Sequence, residues 1–189
     1  MLPKAWRLDR VVPTPAEVRT SMPGDDLLQR PDAVMDRAFT VTAPPEVVWP
    51  WLVQLGKARA GWYLPKPVER LVPRGRRAIR HVDPLWQGMT PGDVIPDYGG
   101  RRATFTVDQM VQDSVLVFTS RRGRTNFTWS IRLTPVDTDA TRVQLRLRLR
   151  PIQRKWLVDT VGELIDLLTI AGMAAGLQER VGAARDPVA

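Results

Sequence analysis

The change of hydrophobic period near residue 151 constrains the fold most strongly. In residues 142–150, RVQLRLRLR, valine and leucine alternate with glutamine and arginine. A period of two predicts a strand with one buried and one solvated face, which puts the arginines in water. From about Gln153 to Val181 the apolar residues recur with the period of an α-helix instead. We therefore predict an antiparallel strand followed by a long amphipathic helix.

The apolar stripe of this helix has members at seven positions, while charged residues lie mostly off it. Its members are Leu157, Val161, Leu164, Ile165, Leu168, Ala171 and Leu177; the charged residues are Lys155, Asp159, Glu163, Asp166, Glu179 and Arg180. Glycines at 162, 172 and 176 each cost a helix about 1 kcal/mol relative to alanine. We therefore expect close backbone approach, or space left open, beside them.

Four more strands are predicted upstream, over residues 37–42, 104–110, 114–120 and 126–135. The polar links VQD, RRGRT and VDTDAT are short enough for hairpins, so the later strands form an antiparallel meander. A brief strand is also possible in PGDVIP, residues 91–96.

Helices are predicted between these strands and ahead of them. Thr14-Pro15-Ala16-Glu17 has the form of a capping box and starts a short helix that ends near Thr20. A second helix starts at Pro45 and stops at Gly56, and Pro50 should kink it. A third, short helix is expected near residues 67–71.

This order of elements predicts an α+β helix-grip fold, a curved antiparallel sheet wrapped around a long C-terminal helix with an internal cavity. We assign residues 1–34 to an extension packed on the domain, 35–183 to the domain and 184–189 to a flexible tail.

Several local motifs resemble the SRPBCC or START-like superfamily of Bet v 1 type, in an uncharacterised bacterial branch close to the polyketide cyclases. They are TPAEV and PGDDLL in the leader (14–18 and 23–28), APPEVVWPWLVQLG (43–56), RAGWY (59–63) and PxWQxxxxGDxIP (84–96). The segment LPKPVERLVPRGRR after Tyr63 departs from the acidic-aromatic sequence usual in that branch. The resemblance implies a cavity for an apolar or amphipathic ligand such as a lipid, polyketide or isoprenoid, and it does not imply catalysis.

The aromatic residues are the best candidates for lining such a cavity, because tryptophan and tyrosine combine a large apolar area with one polar group. Trp62 and Tyr63 follow Gly61 in an irregular segment expected at the cavity mouth. The full set of predicted ligand-binding residues is Trp62, Tyr63, Trp86, Tyr98, Trp129, Leu164, Leu168 and Ala171.

The inventory of catalytic groups is small. With no cysteine and one histidine, a thiol nucleophile and a multi-histidine metal site are excluded. His81, Asp83 and Asp97 are weak catalytic candidates, and Tyr63 and Tyr98 are further possible acids or bases. We expect a carrier or binding protein without cofactor or metal; the alternative is a cyclase or dehydratase-like enzyme that uses a cavity acid and base.

The net charge of +8 raises a third possibility, nucleic-acid or anionic-surface binding through arginines at 74–77, 101–102 and 121–124. Strand geometry already explains the alternating arginines, so this function is disfavoured. The most apolar stretch, residues 161–177, contains Glu163 and Asp166, so no membrane span is expected. We expect a cytoplasmic protein and leave a homodimer open.

Overall fold

A computed structural model describes residues 8–185. One six-stranded antiparallel sheet has the order β1-β6-β5-β4-β3-β2. Its strands are β1 Ala33–Val41, β2 Val94–Pro96, β3 Thr104–Val111, β4 Val115–Arg122, β5 Thr125–Asp137 and β6 Ala140–Arg150. All six predicted strands are present, which confirms the meander. Its last strand, β6, also pairs with β1.

Helices precede, interrupt and follow the strands. They are α1 Pro15–Arg19, α2 Pro45–Gln54, the single turn α3 Lys66–Glu69, and short 3₁₀ turns at Leu8–Val11, Arg74–Arg76 and Pro84–Trp86. The long C-terminal helix, α4, consists of an α-turn Lys155–Leu157, a π-helical segment Val158–Gly162 and the α-helix Glu163–Arg185. The predicted α+β architecture is confirmed.

The predicted start of α1 is confirmed, whereas the predicted glycine cap at the end of α2 is not. Thr14 and Glu17 form both hydrogen bonds of the capping box on α1. In α2, Pro50 lies inside the helix, which ends at Gln54. Gly56, at φ +142°, does not close α2 as a helical cap; its amide bonds instead to the carbonyl of Gly61.

Part of the outer face of the sheet is covered, so the prediction that the arginines of β6 lie in water is wrong for Arg146, whereas Arg150 is exposed as predicted. Arg146 is only 5% exposed. Its guanidinium bonds Asp36 at 2.6 Å and Asp25 at 2.8 Å, together with main-chain carbonyls of the leader. Alternation of apolar and polar residues shows that the two faces of a strand differ in polarity, but it does not show what covers each face. Here the cover is the leader, the stretch of chain that precedes β1. Within it, Glu17 of α1 pairs with Arg142 of β6 at 2.7 Å.

The face that α4 turns towards the sheet also differs from the predicted stripe. Leu164 and Val161, both members of the stripe, are about half exposed, whereas Ile170 and Met173, which are outside it, are buried. Ala171 and Leu177 are buried as predicted. A Cβ on Gly176 would lie 2.5 Å from the backbone nitrogen of Leu64. The side of α4 that carries Gly176 therefore faces the irregular segment between α2 and β2. That close approach was expected of the helix glycines, and it sets the rotation of α4.

Arg180 was placed off the apolar stripe and is instead fully buried. It pairs with Glu69 and donates to the carbonyls of Ile79 and Leu64. The irregular segment turns its carbonyls towards α4, and a guanidinium satisfies several of them at once. The hydrophobic periodicity of α4 does not show that these carbonyls require a donor from the helix.

By length and composition alone, one helix among residues 8–185, Lys155–Ala184, is apolar enough to cross a membrane. In this structure it is the helix on which the sheet packs.

Candidate ligand cavity

A cavity of about 440 Å³ lies between the inner face of the sheet and the first half of α4. The sheet contributes Met35, Phe105, Arg122, Phe127, Trp129, Leu147 and Leu149 to its lining; α4 contributes Val158, Gly162, Ile165, Asp166, Thr169 and Ile170; and the segments between contribute Trp62, Asp97, Tyr98 and Gly99. Ile165 is 59% exposed, so the cavity opens to solvent beside the π-helical segment.

Aromatic rings form one continuous wall. Trp129, at the centre of β5, stacks on Phe118 with 5.5 Å between ring centroids and on Trp62 with 6.3 Å. Phe105 lies 5.8 Å from Trp129. Trp62 is tied to α4 by a 3.3 Å hydrogen bond from its indole nitrogen to the carbonyl of Thr169. This wall offers flat, polarisable surface to a flat ligand.

An ion pair stands at the rim of the cavity, opposite α4. Asp97 accepts a 2.5 Å hydrogen bond from Arg122 and a 2.9 Å bond from the amide of Gly99. The guanidinium of Arg122 lies over the rings of Phe105 and Phe127. Tyr98, 54% exposed, borders the same rim, and burial of its phenol raises its pKa.

A second charged group faces the cavity from α4. The carboxylate of Asp166 lies 3.0 Å from Nε of Arg37, whose other nitrogens are held by the carbonyl of Asp36 and by Glu163. Burial raises the pKa of Asp166 to about 6, because an apolar setting disfavours the charged carboxylate. Arg37 opposes the shift and the charge of Glu163 adds to it.

Of the predicted ligand-binding residues, Trp62, Tyr98 and Trp129 come together in the lining. Tyr63 does not, since it is fully buried in the core. Its hydroxyl donates to the carbonyl of Trp51 at 2.8 Å and accepts from Gln54 at 3.0 Å. Successive residues of an extended segment point to opposite sides, so Trp62 and Tyr63 could not both face the cavity.

The remaining four lie elsewhere. Trp86 lies under the guanidinium of Arg59, at 5.0 Å. Leu164 is 52% exposed and Leu168 is half-buried outside the lining. Ala171 faces a separate cleft of about 560 Å³ between β1, α4 and the 3₁₀ turn Leu8–Val11. The rotation of α4 accounts for the placement of the three helical residues.

Among the weak catalytic candidates, only Asp97 borders the cavity. The side chain of Asp83 caps the 3₁₀ turn that follows it, by accepting from the amide of Leu85. His81 is exposed, and its carbonyl accepts from Gln54. Within residues 8–185 there is no group of three histidine or acidic side chains that could hold a metal ion.

Three charged residues of the cavity region were missed: Arg37, Arg122 and Asp166. For two of them, the sequence pattern indicates a side chain on the inner face of the sheet. Arg37 shares strand parity with Phe39 and Val41, and Arg122 shares it with Phe118. Asp166 lies four residues from Gly162 and from Ile170, on the inner face, but a carboxylate in a helix is ordinarily assigned to water.

Comparison with known proteins shows the fold. No family model matches the chain, and no curated protein sequence matches it. A solution structure from Thermobifida fusca is 20% identical, covers 79% of this chain and 93% of its own, and has a TM-score of 0.50. A norcoclaurine synthase point mutant from Thalictrum flavum, in complex with a transition-state analogue, is 15% identical over 81% of this chain and 96% of its own, also at 0.50.

A protein of unknown function from Staphylococcus aureus is similar at the same level, 11% identical over 82% of this chain and 97% of its own, with a TM-score of 0.50. At identities of 11–20%, these likenesses are likenesses of fold. The chain therefore has the helix-grip fold, an antiparallel sheet packed against a long C-terminal helix.

Proposed function

We propose that this protein binds a flat hydrophobic or amphipathic small molecule in the cavity between the sheet and α4, as a carrier or binding protein. One observation carries the proposal: the aromatic wall around Trp129 faces an open volume of about 440 Å³ instead of packed side chains. That volume falls within the roughly 300–1,000 Å³ of typical small-molecule sites.

The lining favours rings over a flexible acyl chain. Trp62, Phe105 and Trp129 are held by one another and by the bond from Trp62 to α4, so the wall is ordered before a ligand arrives. A preorganised flat surface reduces the entropy lost on binding. A long chain would bury less aromatic surface for each bond that it must order.

The binding test is fluorescence titration with N-phenyl-1-naphthylamine, a neutral aromatic probe that brightens in apolar sites. Thr169→Trp places an indole in the lining and should weaken binding at least about tenfold, or about 1.4 kcal/mol. Thr160→Trp is the matched control, since Thr160 is an exposed residue of α4 outside the lining, and like Thr169 its hydroxyl bonds the carbonyl four residues back. Equal binding by both variants would contradict the proposed site.

A second candidate, a cyclase or dehydratase-like enzyme, is favoured by Asp166. A buried carboxyl whose pKa lies near 6 can accept or donate a proton close to neutral pH. We tie this candidate to Asp166, because His81 and Asp83 do not reach the cavity.

Proton abstraction is measured directly as exchange of the α-hydrogens of 2-tetralone in D₂O. If Asp166 is a catalytic base, the protein accelerates the exchange and Asp166→Asn abolishes the acceleration. Acceleration that survives in Asp166→Asn excludes this role.

A further inference from the structure

The start of α4 presents an apolar surface to solvent. Leu157, Val161 and Ile165 recur every four residues, so they lie on one side of the helix. Trp156 and Leu164 flank this row, and we call the five residues the apolar face. All five are exposed, Trp156 most of all at 66%. Scattered apolar residues are ordinary on a protein surface, but a contiguous patch of them marks a site of contact with a partner.

A basic turn lies beside the apolar face. Arg121, at the end of β4, and Arg124, in the β4–β5 turn, are both exposed. Thr125, the first residue of β5, donates a 2.9 Å hydrogen bond to the carbonyl of Pro151, just before the chain enters α4. That entry adds Arg154, which is also exposed. Cations therefore border the apolar face at the end of the sheet where α4 begins.

A second basic edge comes from the β2–β3 loop. Asp97, at the start of the loop, accepts the 2.5 Å hydrogen bond from Arg122 of β4, which ties the loop to the rim of the cavity. The loop continues to Arg101 and Arg102, and both are exposed. The mouth of the cavity therefore has arginines on the loop side as well as on the side of α4.

The acidic side chains on the first turns of α4 are already paired. Asp159 accepts from Lys155 at 2.8 Å, and Glu163 and Asp166 both pair with Arg37. These carboxylates therefore offset cations other than the exposed arginines around the face. We call those arginines the basic rim: Arg101, Arg102, Arg121, Arg124 and Arg154.

We propose that the apolar face and the basic rim dock this protein on an anionic lipid bilayer. Tryptophan and aliphatic side chains of such a helix enter the boundary between headgroups and acyl chains, while arginines bind the lipid phosphates. Each cation near an anionic leaflet raises the affinity about fivefold. The arginines of the rim lie outside β6, so the strand geometry that explains the β6 arginines does not account for them.

Charge and apolarity together favour a bilayer over two other partners. Nucleic acid offers phosphates to the basic rim, but its backbone leaves the aliphatic side chains of the face without an apolar partner. A second copy of the chain, packed on the face by two-fold symmetry, would bring two basic rims together, and like charges repel. A bilayer that contains anionic lipids complements both parts of the surface at once.

This inference goes beyond the proposed function and does not depend on it, because docking needs no ligand in the cavity. The two surfaces meet at Ile165, which belongs both to the apolar face and to the cavity lining. A docked protein therefore opens its cavity towards the bilayer.

The test is cosedimentation with sucrose-loaded vesicles of phosphatidylcholine alone, or of phosphatidylcholine and phosphatidylglycerol in equal amounts. The wild-type protein should bind the anionic vesicles at least about tenfold more tightly than the neutral ones, and sodium chloride should weaken that binding. No binding to the anionic vesicles, or equal binding to both kinds, overturns the proposal.

Leu164→Ser tests the apolar face. It should weaken binding to anionic vesicles about fivefold, because a half-exposed leucine keeps about half of its burial energy for the bilayer. Leu71→Ser, at an exposed leucine next to α3, is the matched control and should bind as wild type does. Glu69 of α3 pairs with Arg180, which at about 1.5 Å per residue lies roughly 36 Å from Trp156 along α4.

The double variant Arg121→Glu/Arg124→Glu tests the basic rim and should weaken binding at least about tenfold. Its control, Arg74→Glu/Arg76→Glu, changes the net charge by the same amount at two exposed arginines of the 3₁₀ turn after α3. This control should keep most of the affinity. Thermal denaturation checks that each variant is folded.

Controls that weaken vesicle binding as much as the face and rim variants would show that this surface is not the docking site. Binding to duplex DNA but not to vesicles would make nucleic acid the partner, and self-association that Leu164→Ser abolishes, without vesicle binding, would make it a second copy. Each of these results overturns the proposal. Titration with N-phenyl-1-naphthylamine in vesicle-free solution tests the cavity alone, so the failure of either proposal leaves the other standing.

Discussion

Two buried charges show how differently a single residue can be used. Arg146 meets two carboxylates and several carbonyls, so its burial is compensated. Asp166 is also buried, but it has one cation beside it, Arg37 at 3.0 Å, and its burial raises its pKa. Burial that lowers stability is typical of groups retained for binding or chemistry.

We predict that Asp166→Asn stabilises the protein above pH 7. The pKa of Asp166 is raised in the folded state from 3.8 to about 6. Its contribution to stability is therefore fully present below pH 3.8 and is lost as the pH rises through about 6. The variant should gain roughly 1–3 kcal/mol at pH 7.5 and nothing at pH 4.

Urea denaturation of both proteins across this pH range measures the difference, to which Arg37 and Glu163 also contribute as the charged neighbours of Asp166. Asp159→Asn, on the exposed side of α4, is the control. A variant that is less stable than wild type at pH 7.5 would show that the Arg37 contact outweighs the cost of burial.

At the scale of elements, the leader is an outer layer of the sheet. The carbonyl of Pro23 accepts from Ser130 at 2.6 Å, and a Cβ on Gly24 would lie 2.6 Å from Val117. Asp25 pairs with Arg146 and Arg148. The PGDD motif therefore docks the leader on the sheet. Gly24 permits close contact, and Asp25 forms ion pairs with two arginines of β6.

We predict that Arg146→Met destabilises the protein by about 3–5 kcal/mol, because it leaves Asp25 and Asp36 buried with fewer partners. Arg150→Met, on the same face of β6 but exposed, should cost less than about 1 kcal/mol. Thermal denaturation measures the loss, and limited proteolysis should cut the leader of Arg146→Met first. Equal stability of the two variants would contradict a docking role for Arg146.

At the scale of the whole molecule, the irregular segment after α2 is joined to α4 by close contact and by one buried cation. Gly176 approaches the backbone of Leu64, and Arg180 pairs with Glu69 below the ring of Tyr63. This junction holds Trp62 against the cavity, next to Thr169. The same contacts between this segment and α4 therefore position both the core around Tyr63 and the aromatic wall of the cavity.

We predict opposite effects for two glycine substitutions in α4. Gly176→Ala places a Cβ 2.5 Å from Leu64, so it should cost about 1–3 kcal/mol and reduce probe binding. Gly182→Ala meets nothing within 4 Å and should gain up to about 1 kcal/mol through helix propensity. Chemical denaturation checks both; a stable Gly176→Ala would show that the segment can move away from α4.

The sequence by itself determined the elements and their order. Period-two alternation, the capping box at Thr14 and the helical stretch after Gln153 are local signals, and local signals survive without knowledge of the fold. They were sufficient for the six strands, the long helix and the α+β class.

Only the tertiary structure decided which face of each element meets which partner. The rotation of α4 depends on Gly176 against Leu64, and the cover over Arg146 depends on a leader more than a hundred residues away in sequence. Both contacts are long-range, so no periodicity within one element contains them. For this reason Asp166 was expected in water and Tyr63 in the cavity wall, whereas packing across the molecule places the carboxylate in the cavity and the tyrosine in the core.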